Sequence, residues 1–277
     1  MNYRHAFHAG NFADLVKHAA LLAVLSELKS GSGGAPLSVV DTHAGRGLYD
    51  LGGAEARRSG EAEAGVARLM AGADAPDAIQ PLIAGVRALN PGPAVTRYPG
   101  SPWLIAEAMR RGDHYTAFEL RAEEHAALAA VMAGRPGVRT LNADGYAGAA
   151  GVLPTQGPAL VLIDPPFERA DDYARIVETL TAARRRNAGS HALVWLPIKD
   201  LGTLDAFLCD LEDAKLGEGL VAEARLRPLN DPMKMNGCAL VWLGPIMVQP
   251  TLEAICGWVV EALGDSGQSK IYPLASD

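Results

Sequence analysis

The tetrapeptide Asp164-Pro165-Pro166-Phe167 carries the residue types with the clearest chemical meaning in the chain. Two consecutive prolines restrict the backbone and lack N–H donors, so the neighbouring carbonyl groups stay free to accept hydrogen bonds. The Asp164 carboxylate adds a second acceptor, and the Phe167 ring offers a surface for stacking. This combination suits a planar group that carries an NH₂ donor, such as the exocyclic amine of an adenine.

An adenine amine is a weak nucleophile because its lone pair is delocalised into the ring. If Asp164 and the Pro165 carbonyl accepted its two hydrogens, the nitrogen would move toward tetrahedral geometry. Its lone pair would then point at an incoming methyl group, and catalysis would come from alignment and electrostatics. The alternative interpretation is a stiff corner between a strand and a loop, with an aromatic residue beside it by chance.

A glycine-rich loop, Asp41-Thr42-His43-Ala44-Gly45-Arg46-Gly47, follows an earlier predicted strand. Gly45 and Gly47 would let a ligand approach the backbone closely. A glycine-rich turn without a ligand fits this segment equally well. The loop also lacks the third glycine and the helix start of a dinucleotide-binding turn.

Acidic residues end two further predicted strands. Glu119 occupies a position where an acid commonly binds ribose hydroxyls in doubly wound folds, or it is an exposed acid before a helix. Asp144-Gly145 either flanks an adenine ring or forms an ordinary turn. Taken singly, neither segment identifies a ligand.

The elements that position these segments alternate between strands and helices. Predicted strands cover 37–41, 114–120, 138–142, 159–164, 191–196, 220–227 and 237–243. Predicted helices cover 13–29, capped by Asn11, and then 121–132, 171–186, 200–213 and 251–263. The alternation predicts a doubly wound, mostly parallel sheet that binds ligands at the carboxyl ends of its strands. The link from 228 to 236 is too short for a helical crossover, so the last two strands should pair antiparallel.

Residues 51–97 differ in composition from the segments around them. Ala, Glu, Arg and Gly dominate, with helical patterns near 60–71 and 76–89. We interpret 51–97 as an inserted helical subdomain. Residues 1–50 and 98–277 then form the α/β domain.

Composition excludes several classes of protein. The 277 residues carry a net charge of −7, which argues against coating nucleic acid by bulk charge. The cysteines at 209, 238 and 256 show neither metal-ligand spacing nor an even disulfide set. With no signal-peptide core at the N-terminus and only strand-sized apolar runs, we expect a cytoplasmic protein without a membrane span or a metal.

Basic side chains nevertheless cluster in two places. One is the run Arg184-Arg185-Arg186, which is either a solvated helix end or an RNA contact. The other lies at the N-terminus and consists of Arg4, His5, His8, Lys17 and His18. On its own this second cluster would be compatible with a disordered tail and a buried, hydrogen-bonded His18.

The order of the segments is more informative than any one of them. A glycine-rich loop, an acid, an Asp-Gly pair and an Asp-Pro-Pro-aromatic motif after four successive strands are typical of adenosylmethionine methyltransferases that act on amino groups. The N-terminal block Tyr3-Arg4-His5-Ala6-Phe7-His8-Ala9-Gly10-Asn11, with Asp14, Lys17 and His18, resembles the start of the bacterial large-subunit rRNA adenine methyltransferase J family. Asp41–Gly45, Tyr98-Pro99-Gly100-Ser101-Pro102 and Asp164–Pro166 match as well, so the resemblance spans nearly the whole chain.

This resemblance implies a Rossmann-like class I methyltransferase fold with a helical insertion, and methyl transfer to one adenine of 23S rRNA. Tyr3, with His5 and Lys17 nearby, would meet the substrate, and Asp164, Pro165 and Phe167 would form the catalytic group. The residues implied to contact S-adenosyl-L-methionine are His18, His43, Ser101, Glu119, Asp144, Gly145 and Asp164. The family motif ends in Tyr where this chain has Phe167, but stacking needs only the ring. We expect a monomer that acts on 23S rRNA, either protein-free or in an early assembly intermediate.

Three rival functions remain at this point. A DNA adenine methyltransferase would share the Asp-Pro-Pro-aromatic motif, although no additional DNA-reading domain is evident. A non-catalytic RNA-binding protein would have no need of an intact Asp164 motif. A nicotinamide-dependent oxidoreductase is disfavoured by the incomplete glycine pattern.

Overall fold

The structure is a computed structural model that describes residues 8–53, 59–72, 74–229 and 235–274. Within these ranges the strands are β1 (Ser38–Asp41), β2 (Leu48–Asp50), β3 (Arg97–Pro99), β4 (His114–Phe118), β5 (Val138–Leu141), β6 (Ala159–Ile163), β7 (Ser190–Ile198), β8 (Gly219–Arg225), β9 (Gly237–Leu243) and β10 (Gln268–Leu274). The helices are α1 (Phe12–Gly31), α2 (Arg68–Ala71), α3 (Gln80–Leu89), α4 (Ser101–Ala108), α5 (Ala122–Met132), α6 (Gly145–Val152), α7 (Asp172–Arg186), α8 (Leu201–Asp213) and α9 (Gln249–Leu263). The predicted alternation of strands and helices is confirmed.

Eight of the described strands form one sheet in the order β10-β8-β9-β7-β6-β1-β4-β5. Strands β1, β4, β5, β6 and β7 run parallel, and β9 is antiparallel to both β7 and β8. The prediction of a mostly parallel sheet with an antiparallel C-terminal pair is therefore confirmed. The antiparallel edge strand β10 was not predicted, because its Gln, Ser, Lys and Pro residues break the apolar alternation that marks a strand.

The central strand β6 shows why both faces of the sheet need cover. Its side chains alternate: Leu160 and Leu162 join one apolar cluster, while Val161 and Ile163 join another. Helices α1, α4, α5 and α9 contribute to the first cluster, and α6, α7 and α8 contribute to the second. Two helical layers therefore enclose the sheet, as expected for a doubly wound fold.

Helix α1 begins as predicted, because the Asn11 side chain accepts a hydrogen bond from the Asp14 N–H at 3.0 Å. Its buried surface is wider than a single apolar face. Contacts with α3, α4 and α9 bury most of its circumference, including the polar side chains of Asp14, Lys17 and His18. These three residues therefore belong to the interior and not to a basic surface.

The segment predicted as an insertion packs on α1. Leu69, Leu82 and Val86 join the same apolar cluster as Val16 of α1. A π-helical turn, Glu63–Ala67, leads into α2, and α3 begins at Gln80 instead of near residue 76. Pro81 stands in the first turn of α3, where a proline marks a helix start. The division into a subdomain at 51–97 stays a prediction.

The chain near residue 98 contains a short strand that the sequence did not predict. Arg97–Pro99 pairs antiparallel with Leu48–Asp50, which places Tyr98 opposite Tyr49. Helix α4 then begins directly at Ser101. The strands are only three residues long, which is too short for an apolar period to be visible.

One segment, Ile246–Leu263, has the length and apolar composition of a membrane-crossing helix, with a mean hydropathy of 1.3. In the fold, α9 within this segment contacts α1, β8 and β10. Leu252, Ile255 and Cys256 are fully buried there. The apolar residues of this helix therefore cover the sheet.

Candidate active site

The strand order brings the candidate segments to one edge of the sheet. β6, β1, β4 and β5 are consecutive neighbours, although β6 follows the other three in the chain. The Thr42 N–H donates to the Leu162 carbonyl at 3.0 Å, and the Ala44 N–H donates to the Phe118 carbonyl at 2.9 Å. The point where the strand order reverses, between β1 and β6, is where such folds bind ligands.

Asp164 follows β6 at this edge, and its side chain is 18% exposed. Its Oδ2 accepts a hydrogen bond of 2.5 Å from the Lys17 Nζ. Among the residues that the structure describes, Oδ1 of Asp164 has no hydrogen-bond partner. Lys17 thus holds one carboxylate oxygen, and no group in the described part of the chain competes with a ligand for the other.

Lys17 lies between two carboxylates. Its Nζ is 2.9 Å from Asp14 Oδ1 as well as in contact with Asp164, and the side chain is only 5% exposed. Burial lowers the pKa of Lys17, but the two carboxylates outweigh it and raise the pKa well above its ordinary value. Lys17 is therefore a charged residue beside Asp164, close to where a substrate amine would lie.

Glu119 is tied to the glycine-rich loop. Its Oε2 accepts the Gly45 N–H at 3.0 Å, and its Oε1 accepts the Arg121 N–H at 2.7 Å. Gly45 has a φ of 64°, a left-handed conformation that favours glycine. Burial raises the pKa of Glu119 despite these hydrogen bonds. The carboxylate has further lone pairs, so it can accept ribose hydroxyls in addition.

Asp144 and Gly145 do not form an ordinary turn but begin helix α6. Asp144 Oδ1 caps the helix by accepting the Tyr146 N–H at 3.0 Å, and its Oδ2 is 3.1 Å from Arg175 Nη2. A Cβ on Gly145 would lie 2.0 Å from the Thr42 carbonyl oxygen. The glycine therefore lets α6 approach the loop after β1 at backbone distance.

Replacing Gly145 with alanine should displace the start of α6. We expect the free energy of unfolding to fall by about 1–3 kcal/mol, as for overpacked core positions. Gly151→Ala is the matched control, since Gly151 is on the same helix and a Cβ there would meet nothing within 4 Å. That substitution should be neutral or stabilising. Equal stability of the two variants in chemical denaturation would contradict the close approach.

The buried Asp41 and the half-buried His43 form the base of the glycine-rich loop. His43 packs edge-on against Tyr146, with ring centroids 4.6 Å apart, and burial lowers its pKa to about 4. Asp41 accepts hydrogen bonds from the His43 N–H and the Tyr115 hydroxyl. Burial raises the pKa of Asp41 to about 7. Asp41 was predicted from the sequence only as part of this loop, with no role of its own, because the sequence gives no indication of its burial.

The raised pKa of Asp41 predicts how stability depends on pH. The folded protein holds this proton more tightly than the unfolded chain, so the free energy of unfolding should fall as pH rises from about 4 to about 7. The upper bound is roughly 4 kcal/mol. Asp41→Asn should remove this slope in denaturation curves recorded across that range. Asp113→Asn should instead remove a contribution to stability that grows as pH rises. Hydrogen bonds from Arg110 and Leu37 outweigh burial and lower the pKa of Asp113. An unchanged slope in Asp41→Asn would contradict the burial of a titrating carboxyl.

His18 lies in the interior beside Ser101. Its Nδ1 is 2.8 Å from the Tyr98 hydroxyl and its Nε2 is 3.2 Å from Ser101 Oγ. His18 is 1% exposed and Ser101 is 8% exposed. The structure thus brings these two candidates together, and it gives His18 the hydrogen bonds of a core histidine.

Phe167 has a φ of 50°, an uncommon conformation for a bulky residue and one that clusters at functional sites. Its ring contacts Tyr173 and Trp195, with centroids 5.0 Å and 6.0 Å away. The ring is partly exposed. The Asp-Pro-Pro-Phe corner is therefore strained at its last residue and supported by an aromatic cluster.

One candidate, the run of three arginines, lies apart from this edge. The Arg184–Arg186 run ends α7, next to the amino end of β7, where Arg184 and Arg186 donate to the carbonyls of Ala188 and Leu153. These contacts favour a structural helix end for the run. Tyr3 and His5 lie outside the described residues. No group of three or more His, Cys, Asp or Glu residues suited to a metal occurs in the part of the chain that the structure describes.

The chain is similar to several known proteins. The family model described as ribosomal RNA large subunit methyltransferase D, RlmJ, matches residues 34–273. Ribosomal RNA large subunit methyltransferase J of Escherichia coli (strain K12) is 30% identical over 269 residues, 96% of this chain and 95% of that protein. Its namesake from Haemophilus influenzae is 31% identical over 247 residues, 88% of this chain and 87% of that protein. A solved structure of a protein from Legionella pneumophila str. Philadelphia 1 has a TM-score of 0.86 and 25% identity, and covers 96% of this chain and 98% of that one.

Proposed function

The chain belongs to the family of large-subunit ribosomal RNA methyltransferases whose model matches most of it, and on that premise we propose that it transfers a methyl group from S-adenosylmethionine to the exocyclic amine of an adenine in 23S rRNA. The observation that indicates an amine as the methyl acceptor is the corner after β6. There Asp164 presents Oδ1, which has no hydrogen-bond partner among the described residues, and Pro165 follows it directly in the chain; Pro166 has no N–H to compete for either acceptor.

Residues around the β1–β6 junction fit the cofactor chemically. The carboxylates of Glu119 and Asp144 follow the neighbouring strands β4 and β5, which suits hydroxyl and amine donors of a nucleoside. Negative charge on Asp164 suits a sulfonium. We propose that the cofactor is held by His18, His43, Ser101, Glu119, Asp144, Gly145 and Asp164. S-adenosylmethionine supplies the electrophilic methyl group when bound.

The residues of the chain then act on the adenine. Asp164 Oδ1 and the Pro165 carbonyl accept the two amine hydrogens and direct the nitrogen lone pair away from the ring plane. Tyr3 or the Phe167 ring stacks on the base, which must be unstacked before its amine can be reached. Asp164 stabilises the positive charge that develops on nitrogen, and the nitrogen gives up one proton to solvent during or after transfer. The contribution of the protein is orientation and electrostatics.

The family membership and this site also define the partners that we propose. The substrate is 23S rRNA, either free of protein or in an early assembly intermediate, and the enzyme acts in the cytoplasm as a monomer. Lys17 lies beside Asp164 and so acts at the reacting end of the substrate. His5 and Tyr3 belong to the N-terminal block that meets the RNA.

Competition between substrates tests this proposal against a DNA methyltransferase. Pure protein is incubated with methyl-labelled S-adenosylmethionine and equal amounts of unmodified, protein-free 23S rRNA and unmethylated duplex DNA. We expect label in the rRNA alone. Preferential labelling of DNA would overturn the rRNA assignment, and cofactor binding without labelling of either polymer would favour a non-catalytic RNA-binding protein.

A further inference from the structure

Asp14 reaches the proposed reaction site through one intermediate side chain. It is 3% exposed in the first turn of α1. Its Oδ2 accepts the Gly10 N–H at 2.9 Å, and its Oδ1 lies 2.9 Å from Lys17 Nζ. Lys17 in turn donates to Asp164 Oδ2 at 2.5 Å. A single buried ammonium therefore joins two carboxylates, only one of which faces a substrate.

We infer that Asp14 is a positioning residue for methyl transfer: it fixes the Lys17 ammonium so that Lys17 binds Oδ2 of Asp164 and leaves Oδ1 for the substrate amine. This inference rests on the proposed function, because it takes Asp164 as the acceptor of that amine. Asp14 itself touches neither the amine nor the methyl group.

The properties of a lysine side chain explain why a second carboxylate is needed. Four rotatable bonds leave the ammonium free to adopt many positions, and fixing them costs conformational entropy. With Asp164 as its only anchor, the ammonium could bridge both carboxylate oxygens and compete with the substrate for Oδ1. Asp14, three residues earlier on the same helix, gives the ammonium a second anchor 2.9 Å away, which limits the positions it can take beside Asp164.

The turn before Asp14 is itself held in place by another segment of the same chain. The carbonyl of Gly10 accepts the Val66 N–H at 2.8 Å, and Asn11 Nδ2 donates to Glu61 Oε2 at 2.9 Å. Hydrogen bonds therefore hold the turn that contains the Gly10 N–H against the segment 60–67. This explains how a residue at a helix start can hold a fixed position.

The substitution Asp14→Asn tests the inference with little change in shape. Asparagine still accepts the Gly10 N–H but has lost the charge that holds Lys17. We expect the single-turnover rate constant for rRNA methylation to fall roughly 10- to 100-fold. The Kd for S-adenosylmethionine and the KM for rRNA should stay within about threefold of the wild type, because the residue acts on geometry and not on binding. Asp113→Asn is the control, since Asp113 is also a buried, ion-paired aspartate, and it lies before β4, away from the site. It should keep the wild-type rate.

A pH readout separates positioning from a structural role. Burial lowers the pKa of Lys17, but Asp14 and Asp164 together raise it well above its ordinary value. Removing one of those charges should lower it, so an alkaline loss of activity should appear in Asp14→Asn at a lower pH than in the wild type. NMR titration of labelled Lys17 reports the same change without substrate. Among the described residues, the titratable groups that interact electrostatically with the ammonium are Asp14 on α1, Asp164 after β6, Asp41 on β1, Tyr98 on β3 and Cys238 on β9.

The outcomes are distinct. A slower Asp14→Asn enzyme with wild-type binding and a lowered Lys17 pKa supports the inference. An active wild type and an equally active Asp14→Asn variant overturn it and leave the proposed function intact. A rate loss explained by unfolding, seen as a thermal transition below the assay temperature, also overturns it. If the wild type does not methylate rRNA, the proposed function fails and this inference fails with it.

Discussion

Asp164→Ala is expected to lower the rate constant for methyl transfer by roughly three orders of magnitude or more. The alanine removes the acceptor that orients the amine and the charge that stabilises the developing cation. The fold should persist, because Lys17 keeps Asp14 as a partner at 2.9 Å. Measurement of single-turnover transfer with saturating cofactor and rRNA checks the rate, and circular dichroism checks the fold.

Two further variants test whether the loss of activity is specific to the Asp164 carboxylate. Asp164→Asn keeps one carbonyl acceptor and should retain more activity than Asp164→Ala. Asp171→Ala removes an aspartate that is 54% exposed, seven positions along the same connection, and should transfer methyl groups at the wild-type rate. A fully active, folded Asp164→Ala variant would show that methyl transfer does not need this carboxylate.

Lys17→Met should have the second largest effect, on both stability and activity. It leaves the buried carboxylate of Asp14 and the partly exposed carboxylate of Asp164 without the ammonium between them. Breaking a buried ion pair in this way costs about 3–5 kcal/mol. We expect a rate loss of about two orders of magnitude at neutral pH, because one carboxylate must then take up a proton or move away.

The stability loss of Lys17→Met should depend on pH with a definite sign. The raised pKa of Lys17 means that its contribution is complete at neutral pH and is lost only as pH rises through the folded value. In the variant, acidification should recover stability as one carboxylate becomes protonated. Lys29→Met on the same helix is the control, since Lys29 donates to the Ala108 carbonyl away from the site. If Lys17→Met were as stable and active as Lys29→Met, the ion pair would have no role.

The parts of the fold that could be predicted are those in which local sequence and tertiary packing agree. The β6 run Ala159–Ile163 is apolar at every position because both faces are covered, and its strand was predicted correctly. The link 228–236 was too short for a crossover, which gave the antiparallel β8–β9 pair. The short elements β2, β3 and α4 were missed, since three to eight residues do not establish a period.

The candidate site likewise contains some residues that the sequence predicts and some that it does not. Asp164 and Glu119 could be located from their positions after strands, because parallel strands present their carboxyl ends at one edge. The role of Asp14 could not, since a helix cap and a buried charge look alike in sequence. Lys17 was grouped with a basic surface, and only the packing of α1 against α3, α4 and α9 explains its burial. The contact between Lys17 and Asp164 depends on how distant parts of the chain fold together, so no local sequence pattern predicts it.

The most direct measurement is the identity of the methylated nucleoside. Unmodified, protein-free 23S rRNA is methylated by the pure protein with labelled S-adenosylmethionine and then digested to nucleosides. We predict a single labelled product, adenosine with the methyl group on its exocyclic amine, and no such product from Asp164→Ala. Label on a ring nitrogen, on a ribose or on another base would contradict the assignment of Asp164 and Pro165 as acceptors of an adenine amine.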